Sequence, residues 1–175
     1  NNPRLYVTFI PSTSKYMSRK KLAITLGAKA AKYEWLLICD IFCVPQSEYW
    51  LSALARNCNE NVNIVAGYTN YDDDAPDFWR FDHCYMACYL MREAQKGTAY
   101  AWNSNALLFK KDEFLAKEGF RGNLKYVRGE FDFIVNKYAR KGSTAIENSM
   151  EGTLIEETPT CKHWINKQLY YLEDR

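Results

Sequence analysis

The sequence predicts an α/β fold with three layers, in which helices cover both faces of a mixed, mainly parallel sheet. Segments rich in β-branched and apolar residues alternate along the chain with segments of helical periodicity. One segment, Trp35–Cys39 (WLLIC), is apolar throughout, which is typical of a strand buried on both faces of a parallel sheet. The 175 residues contain no internal repeat or linker, so we expect one domain over residues 1–175.

The first elements follow from local patterns. The segment 5–10 (LYVTFI) is β-branched and aromatic and stops before a proline, which predicts a strand. A polar loop then leads to a helix over residues 19–32, in which three side chains are spaced to share one face: Leu22, Leu26 and Ala30.

The remaining elements are expected in a regular succession. Further strands are expected at residues 35–39, 63–67 and 105–109, with a strand or a hairpin at 146–156. Further helices are expected at residues 47–55 with Ser47 as N-cap, 78–95 ending at Gly97, 111–118 ending at Gly119, 130–140 and 161–172.

The composition limits the class of protein. An apolar fraction of 47% with 13 Tyr, 9 Phe and 5 Trp excludes a disordered chain. A net charge of only +2 gives no field for binding nucleic acid, so we expect no nucleic-acid partner. No segment has the apolar length of a membrane span, and the N-terminal residues lack the pattern of a signal peptide. We therefore expect a soluble, cytoplasmic chain.

Four of the six cysteines form pairs with a spacing of four residues. Cys39 precedes Cys43, and Cys84 precedes Cys88 with His83 beside it. Thiolates and imidazole are the usual ligands of zinc, so a small zinc-stabilised domain is one hypothesis. The spacing is wider than that of common zinc motifs and the neighbours are apolar, which favours reduced cysteines in the core of a cytosolic protein.

Asp40 follows the most apolar predicted strand directly. Ligands of open α/β sheets bind beyond the carboxyl ends of the strands, where a carboxylate can hold a divalent metal or a sugar hydroxyl. A helix cap or an ordinary loop carboxylate fits the same pattern. The basic run Arg19-Lys20-Lys21, taken by itself, is typical of a solvated helix start.

Four blocks of sequence, in this order, resemble family 2 glycosyltransferases of the GT-A fold. In that family a basic helix start precedes a buried strand, an Asp-x-Asp metal motif, Cys-x-Pro and a Trp-Leu helix; an acidic motif and an acceptor-side segment follow later. The corresponding blocks here are Lys20-Lys21 through Gly27 to Asp40 with Cys43-Val44-Pro45 and Trp50-Leu51; Asn103 to Ala106 with Phe109-Lys110-Lys111; Gly129-Glu130-Phe131-Asp132; and Trp164 to Leu172.

The resemblance implies an inverting glycosyltransferase of the hexosyltransferase type, which serves polysaccharide biosynthesis. Such an enzyme moves a sugar from a nucleotide-sugar donor to a glycan or lipid-linked acceptor, with Mn²⁺ or Mg²⁺ as a cofactor. The implied catalytic residues are Asp132, as the base, and Glu130 beside it. The implied donor residues are Lys20, Lys21 and Asp40, with Asp40 also holding the metal, and the implied acceptor residues are Trp102, Asn105, His163 and Trp164.

The resemblance also concerns the extent of the domain. Family members begin with a nucleotide-binding half, and nothing before Lys20 resembles it. We therefore expect this chain to be the central and acceptor-side part of a longer domain. The resemblance further implies association with the inner face of the cell membrane, through segments outside this chain.

The sequence departs from the family pattern at three places. Phe42 stands at the second carboxylate of the metal motif, Phe131 stands at an acidic position, and Trp102-Asn103 replaces residues that are often glycine. The phenylalanines at positions 42 and 131 favour an alternative function, that of a catalytically inactive relative acting as a carbohydrate-binding or interaction module. The retained carboxylates of Asp40, Glu130 and Asp132 favour the enzyme.

Overall fold

The structure is a computed structural model that describes residues 5–10 and 18–173. Within these residues twelve elements follow one another along the chain: α1 (Arg19–Ala30), β1 (Trp35–Cys39), β2 (Cys43–Pro45), α2 (Trp50–Ala55), β3 (Ile64–Tyr71), α3 (Asp77–Lys96), β4 (Ala106–Lys110), α4 (Lys111–Ala116), α5 (Glu130–Tyr138), β5 (Thr144–Glu147), β6 (Thr153–Glu156) and α6 (Cys161–Glu173).

The strands form one mixed sheet in the order β1-β4-β3-β6-β2, with β5 paired to β3 outside this path. Strands β5 and β6 run parallel to β3. The other three pairings, β1 with β4, β3 with β4 and β2 with β6, are antiparallel. The prediction of a mixed sheet is confirmed, but its mainly parallel character is not, because three of the five pairings between described strands are antiparallel. The reason is that β4 returns between β1 and β3.

Helices lie on both faces of the sheet. Alternate strand residues separate into two cores, as the two-residue period of a strand requires. Ile64, Ala66 and Phe109 pack with residues of α1, α3, α4 and α5, whereas Val65 and Leu108 pack with Leu54 of α2. The expected layers of helix, sheet and helix are therefore present.

Strand β1 forms at the predicted residues but not in the predicted environment. Its described partner is β4 alone, antiparallel, and its side chains are half-buried or exposed. The continuous apolar run thus lies at the edge of the described sheet. An apolar groove of about 700 Å³ runs between β1 and α1, lined by Leu36, Ile38 and Ala28 among others.

The segment 5–10 has no regular structure, so the predicted strand is wrong. Its side chains are exposed, with Phe9 88% exposed, and no described strand pairs with it. A high β propensity yields a strand only where a neighbour completes the hydrogen-bond ladder. The polar loop expected after it lies mostly outside the described residues.

Two other elements begin or pair differently from the prediction. Helix α2 begins at Trp50, and Ser47 Oγ accepts the N–H of Tyr49 in the preceding turn instead of capping the helix. The segment predicted as a strand or a hairpin contains two strands, β5 and β6, that do not pair with each other. They bind successive parts of β3, at Ile64–Gly67 and Tyr68–Tyr71.

The other predicted helices are confirmed. Helix α3 ends at Gly97, and α4 ends shortly before Gly119, whose positive φ of 55° suits a residue without a side chain. Helix α5 is entered through Gly129, with a φ of 83°, and α6 covers the predicted C-terminal segment. No helix among the described residues has the length and apolarity needed to cross a bilayer.

The buried face of α1 differs from the predicted one. Lys21 and Ala28 are its buried residues, whereas Leu26 is partly exposed. Lys21 is only 1% exposed, and its ammonium donates to the carbonyl oxygens of Asn123, Tyr126 and Arg128 at 2.6 to 3.0 Å. A charge is tolerated at this depth because each of these carbonyls compensates for lost water.

A second lysine holds the preceding part of the same loop. Lys137 of α5 donates to the carbonyls of Lys117, Gly119 and Arg121 at 2.8 to 3.2 Å. The hydroxyl of Tyr138 also donates to Gly119 at 2.7 Å. The connection from α4 to α5, which we call the lysine-bound loop (residues 117–129), is therefore held by side chains because it has no ladder of its own.

Replacing the inner lysine tests this account. We expect Lys21→Met, which keeps the length of the side chain but removes the ammonium, to lower the free energy of unfolding by roughly 3 kcal/mol, because buried carbonyls lose a charged donor. Urea denaturation measures the change. The matched control is Lys29→Met on the exposed face of α1, for which we expect a change below about 0.5 kcal/mol. Equal effects of the two substitutions would contradict the assignment.

Candidate functional site

A polar pocket of about 340 Å³ opens where β1 and β6 end and where α1 and α5 begin. It is lined by residues from six separate segments: Ser18, Arg19 and Lys20; Asp40 and Phe42; Trp102, Ser104 and Asn105; residues 127–132; Glu156; and His163 and Lys167. All of the predicted site residues except Lys21 and Trp164 are on its wall. Residues distant in sequence therefore meet at one place, beyond the carboxyl end of β1, as predicted for Asp40.

Lys20 and Asp40 form an ion pair on one side of the pocket. The Lys20 ammonium lies 2.9 Å from Asp40 Oδ2, and Asp40 Oδ1 accepts the N–H of Phe42 at 3.4 Å. Burial by itself would raise the pKa of Asp40, but Lys20 and the neighbouring backbone N–H groups together hold that pKa below its usual range. The same ammonium lies over the ring of Phe131, 4.9 Å from its centroid.

The two carboxylates of the acidic motif occupy the first turn of α5. Asp132 Oδ1 accepts the backbone N–H of Trp102 at 2.8 Å, which fixes the orientation of the carboxylate. Glu130 is buried, and its Oε1 accepts the hydroxyl of Ser18 at 3.3 Å. Negative charge is favoured at a helix N-terminus, so the first turn of α5 is a favourable place for both side chains.

Glu156 and Lys167 form a second ion pair, which the sequence analysis missed. The ammonium of Lys167 lies 2.8 and 3.1 Å from the two carboxylate oxygens of Glu156 and 3.2 Å from the hydroxyl of Tyr71. Asn105 donates to Glu156 Oε2 at 2.8 Å. Two signals were present: Glu156 ends a β-branched segment as Asp40 does, and Lys167 lies one helical turn after His163.

Three predicted site residues need correction. Lys21 is bound to the lysine-bound loop and lies outside the pocket lining, so it is not placed to bind a donor. Trp102 lines the pocket but is 2% exposed, and its indole N–H donates to Gly67 O at 2.9 Å, so its face is not available for a sugar ring. Trp164 stacks on Trp79, with ring centroids 4.9 Å apart, and lies outside the pocket lining.

The cysteines are free thiols, but they are not core residues as predicted: Cys39, Cys88 and Cys161 are exposed, and the other three are half-buried. Burial, followed by the charge of Glu156, raises the pKa of Cys43 to about 12, so its thiol is protonated at neutral pH. Within residues 5–10 and 18–173 no three side chains of His, Cys, Asp or Glu form a group suited to a metal ion.

Comparison with known proteins does not assign the chain to a family. No family model matches the chain, and no curated protein matches it.

The pocket presents both acceptors and donors. Carboxylate oxygens of Asp40, Asp132 and Glu156 share its wall with the amide of Asn105 and the ammonium groups of Lys20 and Lys167. Sugars need this mixture, since each hydroxyl both donates and accepts. Each of the two ammonium groups is paired with a carboxylate, so acidic and basic side chains stand next to each other in the pocket.

His83 lies behind the second ion pair, on the inner face of α3. It is buried against Tyr71, with ring centroids 5.2 Å apart. Burial, together with the charge of Lys167, lowers the pKa of His83 to about 3, so the imidazole is neutral in the folded protein at neutral pH.

This histidine predicts a pH dependence of stability. The unfolded chain protonates His83 below about pH 6.5, whereas the folded chain does so only near pH 3, so stability falls as the pH falls through this range. We expect His83→Gln to flatten the dependence between pH 7 and pH 5, where the slope from one such group reaches at most about 1.4 kcal/mol per pH unit. Urea denaturation at a series of pH values measures it. The control is His163→Gln, at an exposed histidine, which should leave the slope of unfolding free energy against pH unchanged. An unchanged slope in His83→Gln would show that His83 does not cause the pH dependence.

Proposed function

We propose that this chain is the central and acceptor-side part of an inverting glycosyltransferase. It moves a sugar from a nucleotide-sugar donor to a glycan or lipid-linked acceptor. The observation that carries the proposal is the convergence of Lys20, Asp40, Asn105, Asp132 and His163 in one polar pocket. Lys20 and Asp40, Asn105, and Asp132 belong to three separate sequence blocks that resemble family 2 glycosyltransferases, and nothing in the spacing of the blocks requires them to meet.

Asp132 is the base in this proposal. Its carboxylate takes the proton from an acceptor hydroxyl while that oxygen attacks the anomeric carbon, and the nucleoside diphosphate leaves from the opposite side. The N–H of Trp102 holds one carboxylate oxygen at 2.8 Å, which supplies the orientation that a base requires. Glu130 is buried on Ser18, which suits it to positioning the start of α5 rather than to taking a proton.

Phe42 and Phe131 support the second candidate, a carbohydrate-binding or interaction module. Both replace acids of the family pattern, and both line the pocket. In that case the pocket would bind a sugar through Asn105 and Glu156 without turning it over.

The substitution Asp132→Asn separates the two candidates. Asparagine keeps an acceptor oxygen for the Trp102 N–H but cannot take a proton. We expect kcat for sugar transfer by the full-length gene product to fall about 100-fold or more, with little change in donor affinity. Steady-state kinetics with nucleotide-sugar donors measures this, and calorimetry measures binding.

The matched control is Asp112→Asn, at an exposed carboxylate of α4, which should leave both quantities unchanged. Unchanged turnover in Asp132→Asn would show that the base is another group. Sugar binding by the wild type without any transfer would favour the binding module.

A further inference from the structure

The Asp40 end of the polar pocket does not have the donor set of the divalent-metal site that the resemblance implies. Mn²⁺ or Mg²⁺ is bound through several oxygen ligands, of which one or two are usually carboxylates. Asp40 has one oxygen on the Lys20 ammonium and the other on the N–H of Phe42. The two neighbouring positions at which the resembling family carries acids are the phenylalanines at 42 and 131. These residues do not fit the metal that the resemblance implies.

A protein cation lies where those motifs meet. The Lys20 ammonium is held between the carboxylate of Asp40 and the ring of Phe131, 2.9 Å from Oδ2 and 4.9 Å from the ring centroid. An aromatic face binds the ammonium without adding negative charge. A carboxylate at position 131 would instead have placed Lys20 between two anions.

The charges of the pocket wall agree with this arrangement. Its formal charges balance, with four cationic and four carboxylate side chains: Arg19, Lys20, Arg128 and Lys167 against Asp40, Glu130, Asp132 and Glu156. Acids at positions 42 and 131 would add two negative charges. A diphosphate would then need a divalent cation to enter, whereas the present wall does not impose that requirement.

The position of Lys20 on α1 is also unfavourable for the helix itself. The first turn of α1 carries no acidic residue and begins with three basic ones, although the helix dipole disfavours cations there. The presence of Lys21 in this turn is explained by its hydrogen bonds to the lysine-bound loop. Lys20 remains partly exposed and lines the pocket, so we attribute the presence of a second cation in this turn to the pocket.

We propose that Lys20 replaces the divalent cation, so that the diphosphate of the donor binds to this site without metal. Asp40 and Phe131 hold the ammonium, and Lys20 supplies the positive charge that faces the phosphates. This inference rests on the proposed function, because the diphosphate belongs to the nucleotide-sugar donor.

The test is calorimetric titration of UDP and of GDP into the full-length gene product, in EDTA and in Mn²⁺. We expect one of the nucleotides to bind with a Kd that differs less than about 3-fold between the two conditions. Lys20→Gln should weaken binding about 10-fold or more in both, as loss of a charged hydrogen bond requires. Lys29→Gln, at the exposed lysine nine residues further along α1, should bind as the wild type does.

A converse variant tests the same point by a gain of binding. We expect the double substitution Lys20→Ala and Phe42→Asp, which creates a second carboxylate at a side chain that is 57% exposed, to bind Mn²⁺ alone. Its nucleotide affinity should then depend on Mn²⁺. Titrated with Mn²⁺ alone, the wild type and the Asp40→Asn variant should give the same result, because Asp40 does not bind the metal in the wild type. Circular dichroism confirms that each variant is folded.

The outcomes separate the two proposals. Nucleotide binding by the wild type that disappears in EDTA and returns with Mn²⁺ overturns the role of Lys20 but leaves the glycosyltransferase proposal standing. Binding of Mn²⁺ alone through Asp40 does the same. Failure of both nucleotides to bind, with or without Mn²⁺, overturns the proposed function and this inference together.

Discussion

The buried ammonium of Lys21 is the interaction on which the rest of the site depends. It binds three carbonyls of the lysine-bound loop from inside the protein, and Lys137 binds three more from the other end. The loop has turn hydrogen bonds but no helix or ladder, so these ammonium groups are what tie its carbonyls to α1 and α5. Because the loop leads directly into α5, fixing it also fixes the acidic motif.

The start of α1 thereby connects the loop to the pocket. Successive helical residues point about 100° apart, so Lys21 is directed inward and Lys20 toward the site. Ser18, one turn earlier, accepts the N–H of Lys21 and donates its hydroxyl to Glu130. The N-termini of α1 and α5 are therefore held together, and the distance from Lys20 to Phe131 follows from that packing rather than from the pair itself.

The sequence predicted those features that local chemistry determines. Helices α3 and α5 and the position of Asp40 follow from periodicity, glycine and the end of an apolar strand. Partners could not be predicted in the same way. The run Trp35–Cys39 indicates apolar surroundings, but not that its neighbour β4 is antiparallel. Lys20 and Lys21 are equivalent in sequence, and only the loop, about 100 residues away, distinguishes the buried one from the exposed one.

The phenylalanines show why a departure from a motif needs its surroundings before it is interpreted. In the sequence, Phe42 and Phe131 suggest lost acidic chemistry. In the structure, Phe131 packs under the ammonium of Lys20, which also forms an ion pair with Asp40. Under the proposed function, phenylalanines in place of acids leave the local charge more positive, closer to that of a metal-loaded acidic site. Phe131 therefore has a contact of its own with Lys20, so it is not adequately described as the loss of a ligand.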